Sequence, residues 1–397
     1  MRRDVSFKQA VEFARELVQI PSLSGEEGPV AKRVSDELKM LRFDDVWVDE
    51  VGNVMARVRG KGHGPAIMLC SHLDVVDVGD ISQWEHMPFG GDIDQGYLHG
   101  RGAMDCKGPL ALQTYAAASF VNSRPVGDIY LVFTVFEESG CWGIHHVMER
   151  GDIEPAGVIL GEATGGDICI GHRGRVELSI TIRGKSAHAS APERGRNPVD
   201  SLPFVLNVLQ RYIDDLPSHP ALSRHTLVPT VVETWPNSRN MVPEEVRIVV
   251  DWRTLPGDEN GNWINSLQTF LQNHLGDRIG ERLKIQEVIE TKRAYTGVER
   301  ERRISTAGFL MPERHPIVRA AVEAVQLVAG YTPAVRPWTF GTDGGCLCGI
   351  YGVPTIGYAP GQEADAHTNR ERLSLDAART TYDAYPSLVQ EVQKALV

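Results

Sequence analysis

The sequence lacks the features by which membrane, secreted and nucleic-acid-binding proteins are recognised. It contains no run of about 18 apolar residues, so no segment is expected to span a membrane. Charged residues interrupt positions 1–20 throughout, which predicts an amphipathic helix there rather than a signal peptide. Basic residues are in deficit: 41 Lys and Arg against 52 Asp and Glu leave a formal charge of −11. That balance argues against nucleic acid or anionic lipid as the main partner.

Cysteine is also scarce, and its spacing forms no recognisable site. The six cysteines include no C-x-x-C pair, and in a chain of 397 residues they do not make a disulfide framework. We therefore expect reduced thiols that serve as packing residues in a cytoplasmic protein. No G-x-S-x-G segment is present, which argues against a serine hydrolase of the nucleophile-elbow kind.

What the sequence does contain is the pattern of a large α/β domain interrupted by a smaller one. Hydrophobic residues make up 42% and charged residues 23%, an ordinary globular composition, and the length favours two domains. Strand-like and helical runs alternate over residues 1–175 and again over 293–397, which predicts a mixed, mostly parallel sheet covered by helices. Residues 176–292 follow a β-α-β-α pattern and are predicted to form an inserted α+β domain.

Three local patterns predict individual elements of the first domain. The helical spacing of apolar residues predicts a first helix that ends near Val18. The segment Ser24-Gly25-Glu26-Glu27 has the form of a capping box, which predicts a second helix running to about Leu41. Residues 129–136 form a continuous, β-rich apolar run of the kind found in strands buried on both faces.

Histidine and acidic residues stand at the ends of several predicted strands and loops. Taken alone, each has an ordinary explanation: a surface-loop histidine, a helix N-cap or a solvated turn. The adjacent pair Glu137 and Glu138 is harder to explain in this way, because carboxylates that end so apolar a strand are costly without a nearby cation. The complete set of candidate metal ligands is His72, Asp105, Glu138, Glu162 and His367.

Because open α/β sheets bind ligands at the carboxyl ends of their strands, we expect these five side chains to converge. Such a set predicts two zinc ions that share one carboxylate, roughly 3.5–4 Å apart. Glu137 is left over and is predicted to be the general base for a metal-activated water. In the His72-Leu73-Asp74 segment, the carboxylate of Asp74 is predicted to accept the second N–H of the imidazole and so fix its tautomer.

At this point the chain resembles the zinc-dependent acetylornithine deacetylase, succinyl-diaminopimelate desuccinylase, aminoacylase and carboxypeptidase-G family of metallopeptidases. The resemblance covers nearly the whole chain and is carried, in this order, by the segments SHLDVV, GRGAMDCKG, EESG, GEAT, GKSAHAS and AHTN. Within the family, the blocks GHRGRVE, SAHASAPERGRNPVD and RPWTFGTDGG look closest to the selenium-metabolism-linked hydrolase subgroup.

The resemblance implies a role for each residue of the predicted site. Asp105 would bridge two metal ions whose other ligands are, in pairs, His72 with Glu162 and Glu138 with His367. Glu137 would act as the general base and then return the proton to the leaving amine. The family usually holds the peptide bond after the bridging aspartate in cis. Here Cys106 stands where asparagine, aspartate or methionine is usual.

The same resemblance implies that the inserted domain is a lid and dimerisation domain. His188 would reach the active site of the partner subunit and donate a hydrogen bond to the developing oxyanion. Without the family match, His188 would be an exposed turn residue and Arg253 would simply pair with Asp251 or Glu245. The residues implied to contact the substrate are Arg173, Asn240, Arg253, Gly341 and Thr342.

The predicted function is hydrolysis of the amide bond of an N-acyl amino acid, acetyl or succinyl, at two Zn²⁺ ions per chain. Co²⁺ and Mn²⁺ accept similar ligands and stay open as alternatives. A dipeptidase and an N-carbamoyl-amino-acid hydrolase of the same fold are the nearest alternative functions, and a non-catalytic metal-binding homologue is a remote one. The expected partners are a small-molecule substrate and a second copy of the chain, with no nucleic acid and no membrane.

Overall fold

The computed structural model describes residues 5–258, 263–276 and 282–397. The chain divides into two compact units. Unit 1 comprises Met1–His172, Thr291–Arg302 and Phe309–Val397, and unit 2 comprises Arg173–Glu290 and Arg303–Gly308.

The helices and strands alternate along unit 1 and form a separate group in unit 2. The helices are α1 Phe7–Val18, α2 Gly28–Met40, α3 Lys107–Ala118, α4 Trp142–Arg150, α5 Leu202–Asp215, α6 Trp263–Leu275, α7 Pro316–Ala329 and α8 Leu375–Ala395. In the described part of the chain, none of these helices is long and apolar enough to cross a membrane.

The strands are numerous and mostly short. The first nine are β1 Asp45–Val48, β2 Val54–Val58, β3 Gly64–His72, β4 Ile93–Asp94, β5 Tyr97–His99, β6 Gly127–Thr134, β7 Gly157–Leu160, β8 Ile168–Cys169 and β9 Gly171–His172. The next eight are β10 Gly174–Arg183, β11 Ala187–His188, β12 Ser218–His219, β13 Ser223–Arg224, β14 Thr226–Trp235, β15 Met241–Val242, β16 Glu245–Thr254 and β17 Leu283–Glu287. The last are β18 Ile289–Arg293, β19 Glu299–Arg303, β20 Ser305–Thr306, β21 Phe309–Leu310, β22 Val335–Arg336, β23 Thr355–Gly357 and β24 Arg372–Ser374.

Unit 1 is built on an eight-stranded sheet in the order β1-β2-β6-β3-β7-β23-β8-β22. The neighbours β6, β3, β7 and β23 run parallel, while β1–β2, β2–β6 and β23–β8 are antiparallel. The predicted mixed, mostly parallel sheet is confirmed. Because the four parallel strands are adjacent, their carboxyl ends meet at one edge of the sheet, which we call the carboxyl edge.

The central strands of unit 1 are apolar in sequence because they lie in the core of that unit. Every residue of β7 is buried, and so is every residue of α3, a helix rich in alanine that packs closely on its neighbours. α1 buries one face, with Phe13 and Leu17 fully enclosed. Each large apolar side chain removed from water in this way contributes about 1.5–3 kcal/mol to the free energy of unfolding.

Unit 2 is an antiparallel sheet covered by two helices. Its strands lie in the order β14-β16-β10-β17, with β20 paired to β10. Residues of β10 and β16 alternate between buried and partly exposed along most of each strand. The buried side chains pack with the apolar faces of α5 and α6 into a core of their own. β14 lies at one edge of this sheet.

Several local predictions need correction. α2 begins at Gly28 with Pro29 in its first turn, and no side chain caps it, so the predicted capping box is wrong. The hydroxyl of Ser24 instead donates a hydrogen bond to the carboxylate of Asp74. β6 ends at Thr134 rather than residue 136, because Phe136 adopts a φ of 55° and turns the chain. The prediction of a single insertion at 176–292 was also incomplete. The chain returns to unit 2 at Arg303–Gly308, where β20 pairs with β10.

Candidate metal centre

The predicted ligands all lie at or beyond the carboxyl edge of the sheet in unit 1. His72 is the last residue of β3, and Glu138 and Glu162 follow β6 and β7. His367 lies in the loop after β23, and Asp105 immediately precedes the first turn of α3. Adjacent parallel strands thus bring together residues that are almost 300 positions apart in the sequence, as the strand-end argument predicted.

Asp105 lies between the two histidines. Its Oδ1 is 2.9 Å from His72 Nε2, and its Oδ2 is 3.3 Å from His367 Nε2. Each carboxylate oxygen therefore faces a different imidazole. A carboxylate that is shared by two cations needs this arrangement, with one oxygen directed to each side.

Each histidine also has a further carboxylate beside it. Glu138 Oε1 lies 3.0 Å from His367 Nε2, and Glu162 Oε1 lies 3.6 Å from His72 Nε2. Donor atoms of His72, Asp105 and Glu138 all lie within 4.8 Å of one another. The five side chains therefore form one connected group of donors with Asp105 between the two histidines.

Burial and charge act together on these carboxyl groups. Burial raises the pKa of both Glu138 and Glu162 above the ordinary range, and repulsion from Asp105 adds to the effect. Burial acts in the same direction on Asp105, but hydrogen bonds with the two histidines outweigh it and lower the pKa of that group. So many carboxylates in one buried cluster are stabilised best by a bound cation.

The structure changes the role that the sequence predicted for Asp74. Nδ1 of His72 lies 2.8 Å from the backbone carbonyl oxygen of Asp74 and 3.7 Å from its carboxylate. The carboxylate accepts hydrogen bonds from the backbone N–H groups of Glu137 (3.0 Å) and Glu138 (3.2 Å) and from the hydroxyl of Ser24 (2.6 Å). Because these three donors occupy the carboxylate, the carbonyl group orients the imidazole instead.

Glu137 lies beside a buried carboxylate that sequence reasoning did not select. Donor atoms of Glu137, Cys141 and Asp343 lie within 4.8 Å of one another, and Asp343 Oδ2 accepts a hydrogen bond from Thr134 Oγ1 at 2.8 Å. Burial raises the pKa of Asp343 to about 6. Burial, followed by repulsion from Glu162, raises that of Glu137. The only sequence signal for Asp343 was its place in the RPWTFGTDGG block.

A buried ion pair was also missed. Arg101 Nη1 donates a hydrogen bond to Glu371 Oε2 at 2.7 Å, although 270 positions separate the two residues. Arg101 precedes Asp105 by four positions, and Glu371 follows His367 by four. The available signal was that each of these charged residues lies close to a predicted ligand in the sequence. The sequence could not indicate that Arg101 and Glu371 would pair with each other.

The conformation of the peptide bond after Asp105 agrees with what the resemblance implied. The peptide bond between Asp105 and Cys106 is cis. Cys106 Sγ lies in a group with donor atoms of His72 and Glu162, and it donates a hydrogen bond to the carbonyl oxygen of Gly161 at 3.0 Å. Burial raises the pKa of this thiol well above its ordinary value, which favours the protonated form. All six cysteines are free, as predicted.

The predicted substrate residues of unit 2 have partners within that unit. His188 is exposed, and its Nδ1 lies 2.7 Å from Ser190 Oγ. Asn240 is exposed and accepts a hydrogen bond from Ser238. Arg253 Nε donates to Asp251 Oδ1 at 2.8 Å, the pairing that the sequence left open as an alternative. Arg173, the fourth of these residues, donates to the carbonyl oxygen of residue 224 at 2.9 Å.

Gly341 and Thr342 lie in unit 1 and differ in what their backbone can offer. The N–H of Thr342 donates to His172 Nε2 at 3.1 Å, and its Oγ1 accepts from the N–H of Gly344 at 3.0 Å. The N–H of Thr342 is therefore occupied, and the backbone contact of Gly341 and Thr342 with a substrate stays a prediction.

The donor set fits two divalent cations of the zinc type. Two imidazoles and three carboxylates, one of them between the histidines, supply nitrogen and oxygen ligands that zinc, cobalt and manganese all accept. The Cys106 thiol donates a hydrogen bond to the backbone carbonyl oxygen of Gly161, and burial raises its pKa. The residues that would hold the ions are His72, Asp105, Glu138, Glu162 and His367.

Comparison with known proteins gives the same picture. Residues 68–391 match the model of peptidase family M20/M25/M40. The uncharacterized protein YgeY of Escherichia coli K12 is 29% identical over 399 residues, which cover 94% of each chain. A succinyl-diaminopimelate desuccinylase of Cereibacter sphaeroides is 32% identical over 331 residues, which cover 79% of this chain and 82% of that protein.

Solved structures share the fold at low sequence identity. The M20 family metallo-carboxypeptidase Sso-CP2 of Sulfolobus solfataricus has a TM-score of 0.75 and 16% identity, over 97% of this chain and 99% of that one. The di-peptidase Dug1p of Saccharomyces cerevisiae has a TM-score of 0.71 and 15% identity, over 99% of both chains.

Proposed function

The chain belongs to peptidase family M20/M25/M40 and is a metal-dependent amidohydrolase, and from that premise we propose that it hydrolyses N-acyl amino acids at two bound metal ions. The observation that carries the proposal is the position of Asp105, whose two carboxylate oxygens face His72 and His367 separately. The acyl class is supported by the relatives named succinyl-diaminopimelate desuccinylase.

In the proposed site, Asp105 would be a ligand common to both ions. His72 and Glu162 would complete one set of ligands, and Glu138 and His367 would complete the other. Divalent ions bound there would polarise the amide carbonyl and make water more acidic. The hydrogen bonds from the backbone of Glu137 and Glu138 to Asp74 hold the two glutamates in fixed positions.

Glu137 performs the proton transfers in this proposal. Its carboxylate takes a proton from the attacking water as the new carbon–oxygen bond forms. It then gives that proton to the amine nitrogen as the carbon–nitrogen bond breaks. Burial raises its pKa, and a raised pKa suits a carboxyl group that must return the proton it has accepted. His188 is proposed to donate a hydrogen bond to the oxyanion.

The proposed partner is a second copy of the chain, bound through unit 2. The edge strand β14 exposes Val228 (53%), Val231 (41%), Val232 (53%) and Trp235 (67%). An apolar edge strand with free backbone groups is a template for pairing with another strand. We expect Val231→Lys to shift the protein from dimer to monomer in sedimentation velocity, whereas Val126→Lys, at an exposed position of unit 1, leaves the dimer intact.

The test of the activity is amine release from a panel of N-acetyl, N-succinyl and N-carbamoyl amino acids and dipeptides. The metal-reconstituted enzyme is compared with Glu137→Gln, and Glu26→Gln serves as a matched control because Glu26 is exposed. We expect release from N-acyl substrates that disappears in Glu137→Gln while both metal ions stay bound. The control should retain full activity.

Other outcomes would change the proposal in defined ways. Release confined to dipeptides or to N-carbamoyl substrates would replace the acyl class but keep the site. Full activity in Glu137→Gln would remove that residue from the proton transfers. A wild-type protein that binds no metal would contradict the dinuclear site itself.

A further inference from the structure

We infer that the buried ion pair of Arg101 and Glu371 positions the metal ligands, so that both ions bind tightly only while the pair is intact. The inference rests on the proposed function above, because it concerns the affinity of that same site. Neither residue is among the ligands. Both act through the backbone of the segments that carry ligands and are therefore positioning residues.

Glu371 holds the segment that carries Asp105. Its side chain is buried, with 1% of its surface exposed. Oε1 of Glu371 accepts hydrogen bonds from the backbone N–H groups of Met104 and Asp105, each at 3.2 Å. Its backbone carbonyl oxygen accepts another from the N–H of Gly100, also at 3.2 Å. Buried N–H groups are costly to leave unpaired, so this one residue fixes the approach of the chain to the bridging carboxylate.

Arg101 holds two further segments. It is 3% exposed, and its guanidinium lies over the ring of Trp84 at 5.1 Å from the centroid. Nη1 donates to Glu371 Oε2 at 2.7 Å and to the carbonyl oxygen of Thr368 at 3.3 Å, and Nη2 donates to the carbonyl oxygen of Asp77 at 3.2 Å. Thr368 directly follows the histidine of the second ligand pair, and Asp77 lies in the loop that follows β3.

The pair therefore links two segments that carry a ligand, the turn with Asp105 and the loop with His367, to the loop that follows His72. A pair that served stability alone would not need to contact the backbone N–H of one ligand and the residue next to another. Outer-shell partners of this kind typically change metal affinity or activity by about 10–100-fold when they are removed.

The test measures metal affinity directly. Metal-free wild type, Glu371→Ala, Glu371→Gln and Arg101→Gln are titrated with Co²⁺ in competition with a chelator, and visible absorption reports the coordination of the ion. We expect Glu371→Ala to weaken the binding of both ions by about 10–100-fold. Glu371→Gln keeps an acceptor for the two N–H groups and should recover part of the loss. Arg101→Gln should weaken binding severalfold, because the contacts with Asp77 and Thr368 are lost.

Glu37→Ala is the matched control. Glu37 has no exposed surface and pairs with the partly buried Arg33 at 2.8 Å, so its loss also removes a fully buried carboxylate from an ion pair. It should lower the melting temperature without changing the affinity for Co²⁺ or the visible spectrum. A weaker affinity in this control would mean that loss of stability alone accounts for the effect.

The outcomes separate this inference from the proposed function. If the wild type binds two ions and both Glu371→Ala and Arg101→Gln bind them equally well, the inference is wrong and the proposed site stands. If Glu371→Ala does not fold, unchanged affinity in Arg101→Gln overturns the inference in the same way. If the wild type itself binds no Co²⁺, the proposed function has failed.

Discussion

The two units differ in how they hold most of their predicted functional side chains, although His367 of unit 1 is exposed, as His188 of unit 2 is. In unit 1, His72 and Asp105 are buried and are 2.9 Å apart. In unit 2, His188 and Asn240 are exposed and contact neighbours two positions away, Ser190 and Ser238. The fold of unit 1 therefore brings the candidate ligands together, whereas the side chains of His188 and Asn240 in unit 2 bond to near neighbours and their contact with a substrate stays a proposal.

The largest expected effect comes from removing the centre of the unit 1 arrangement. Asp105→Ala takes away the carboxylate that faces both histidines, so we expect one or both ions to be lost. Turnover should fall by more than about 10³-fold, well beyond the 10–100-fold that loss of an outer-shell partner causes. Metal content by mass spectrometry and amine release measure the two effects. A variant that keeps both ions and most of its activity would break the comparison.

A smaller effect is expected in unit 2. His188→Ala removes a proposed oxyanion donor, and loss of one such donor costs about 10²–10³-fold in kcat. Because its present partner is the nearby Ser190, both metal ions should stay bound and the melting temperature should hardly change. Steady-state kinetics together with metal analysis test this. Loss of metal from His188→Ala would show that the distinction between the two units is mistaken.

The sequence could predict the site of unit 1 because a simple rule relates the sequence to that geometry. Parallel strands end at one edge, so polar residues after β3, β6 and β7 had to converge. What the sequence could not supply were contacts that depend on distant segments. Arg101 meets Glu371 across 270 positions, and neither has a local pattern that requires the other.

The capping-box error has the same origin. Ser24 and Glu27 have the spacing of a helix start, but tertiary contacts take both side chains. Ser24 donates to Asp74, and Glu27 Oε1 accepts from the N–H of Phe136 at 3.2 Å. Two residues that looked like a local signal thus support the turn that carries Glu137. The tertiary hydrogen bonds of Ser24 and Glu27 outweighed the local preference for helix capping, which contributes about 1 kcal/mol to stability.

Ser24→Ala tests that support with a modest expected effect. The variant removes one of the three donors to the Asp74 carboxylate but leaves the N–H groups of Glu137 and Glu138 in place. A hydrogen bond of this kind contributes about 1 kcal/mol, so we expect kcat to fall about fivefold. KM and metal content should stay unchanged. Ser123→Ala, which removes an exposed hydroxyl bonded to a local carbonyl, is the control and should behave like the wild type.

The smallest expected effect concerns His145 on α4 of unit 1, a residue with no proposed role in catalysis. Burial, with repulsion from Arg302, lowers the pKa of His145 to about 4, whereas in the unfolded chain it is about 6.5. Between these values the unfolded state binds a proton that the folded state does not. The free energy of unfolding therefore falls as the pH drops from about 6.5 towards 4, and this contribution is fully present only above that window.

Replacing His145 with glutamine should remove this pH dependence. In urea titrations, the loss of unfolding free energy between pH 7 and pH 5 should be smaller in His145→Gln than in the wild type, by at most about 2 kcal/mol. The same replacement at the exposed His63 is the control and should leave the wild-type profile unchanged. Parallel profiles for His145→Gln and the wild type would mean that this histidine is already solvated in the folded state. The contrast with the exposed His188 and Asn240 of unit 2 would then hold only for the buried ligands of the metal centre, such as His72 and Asp105.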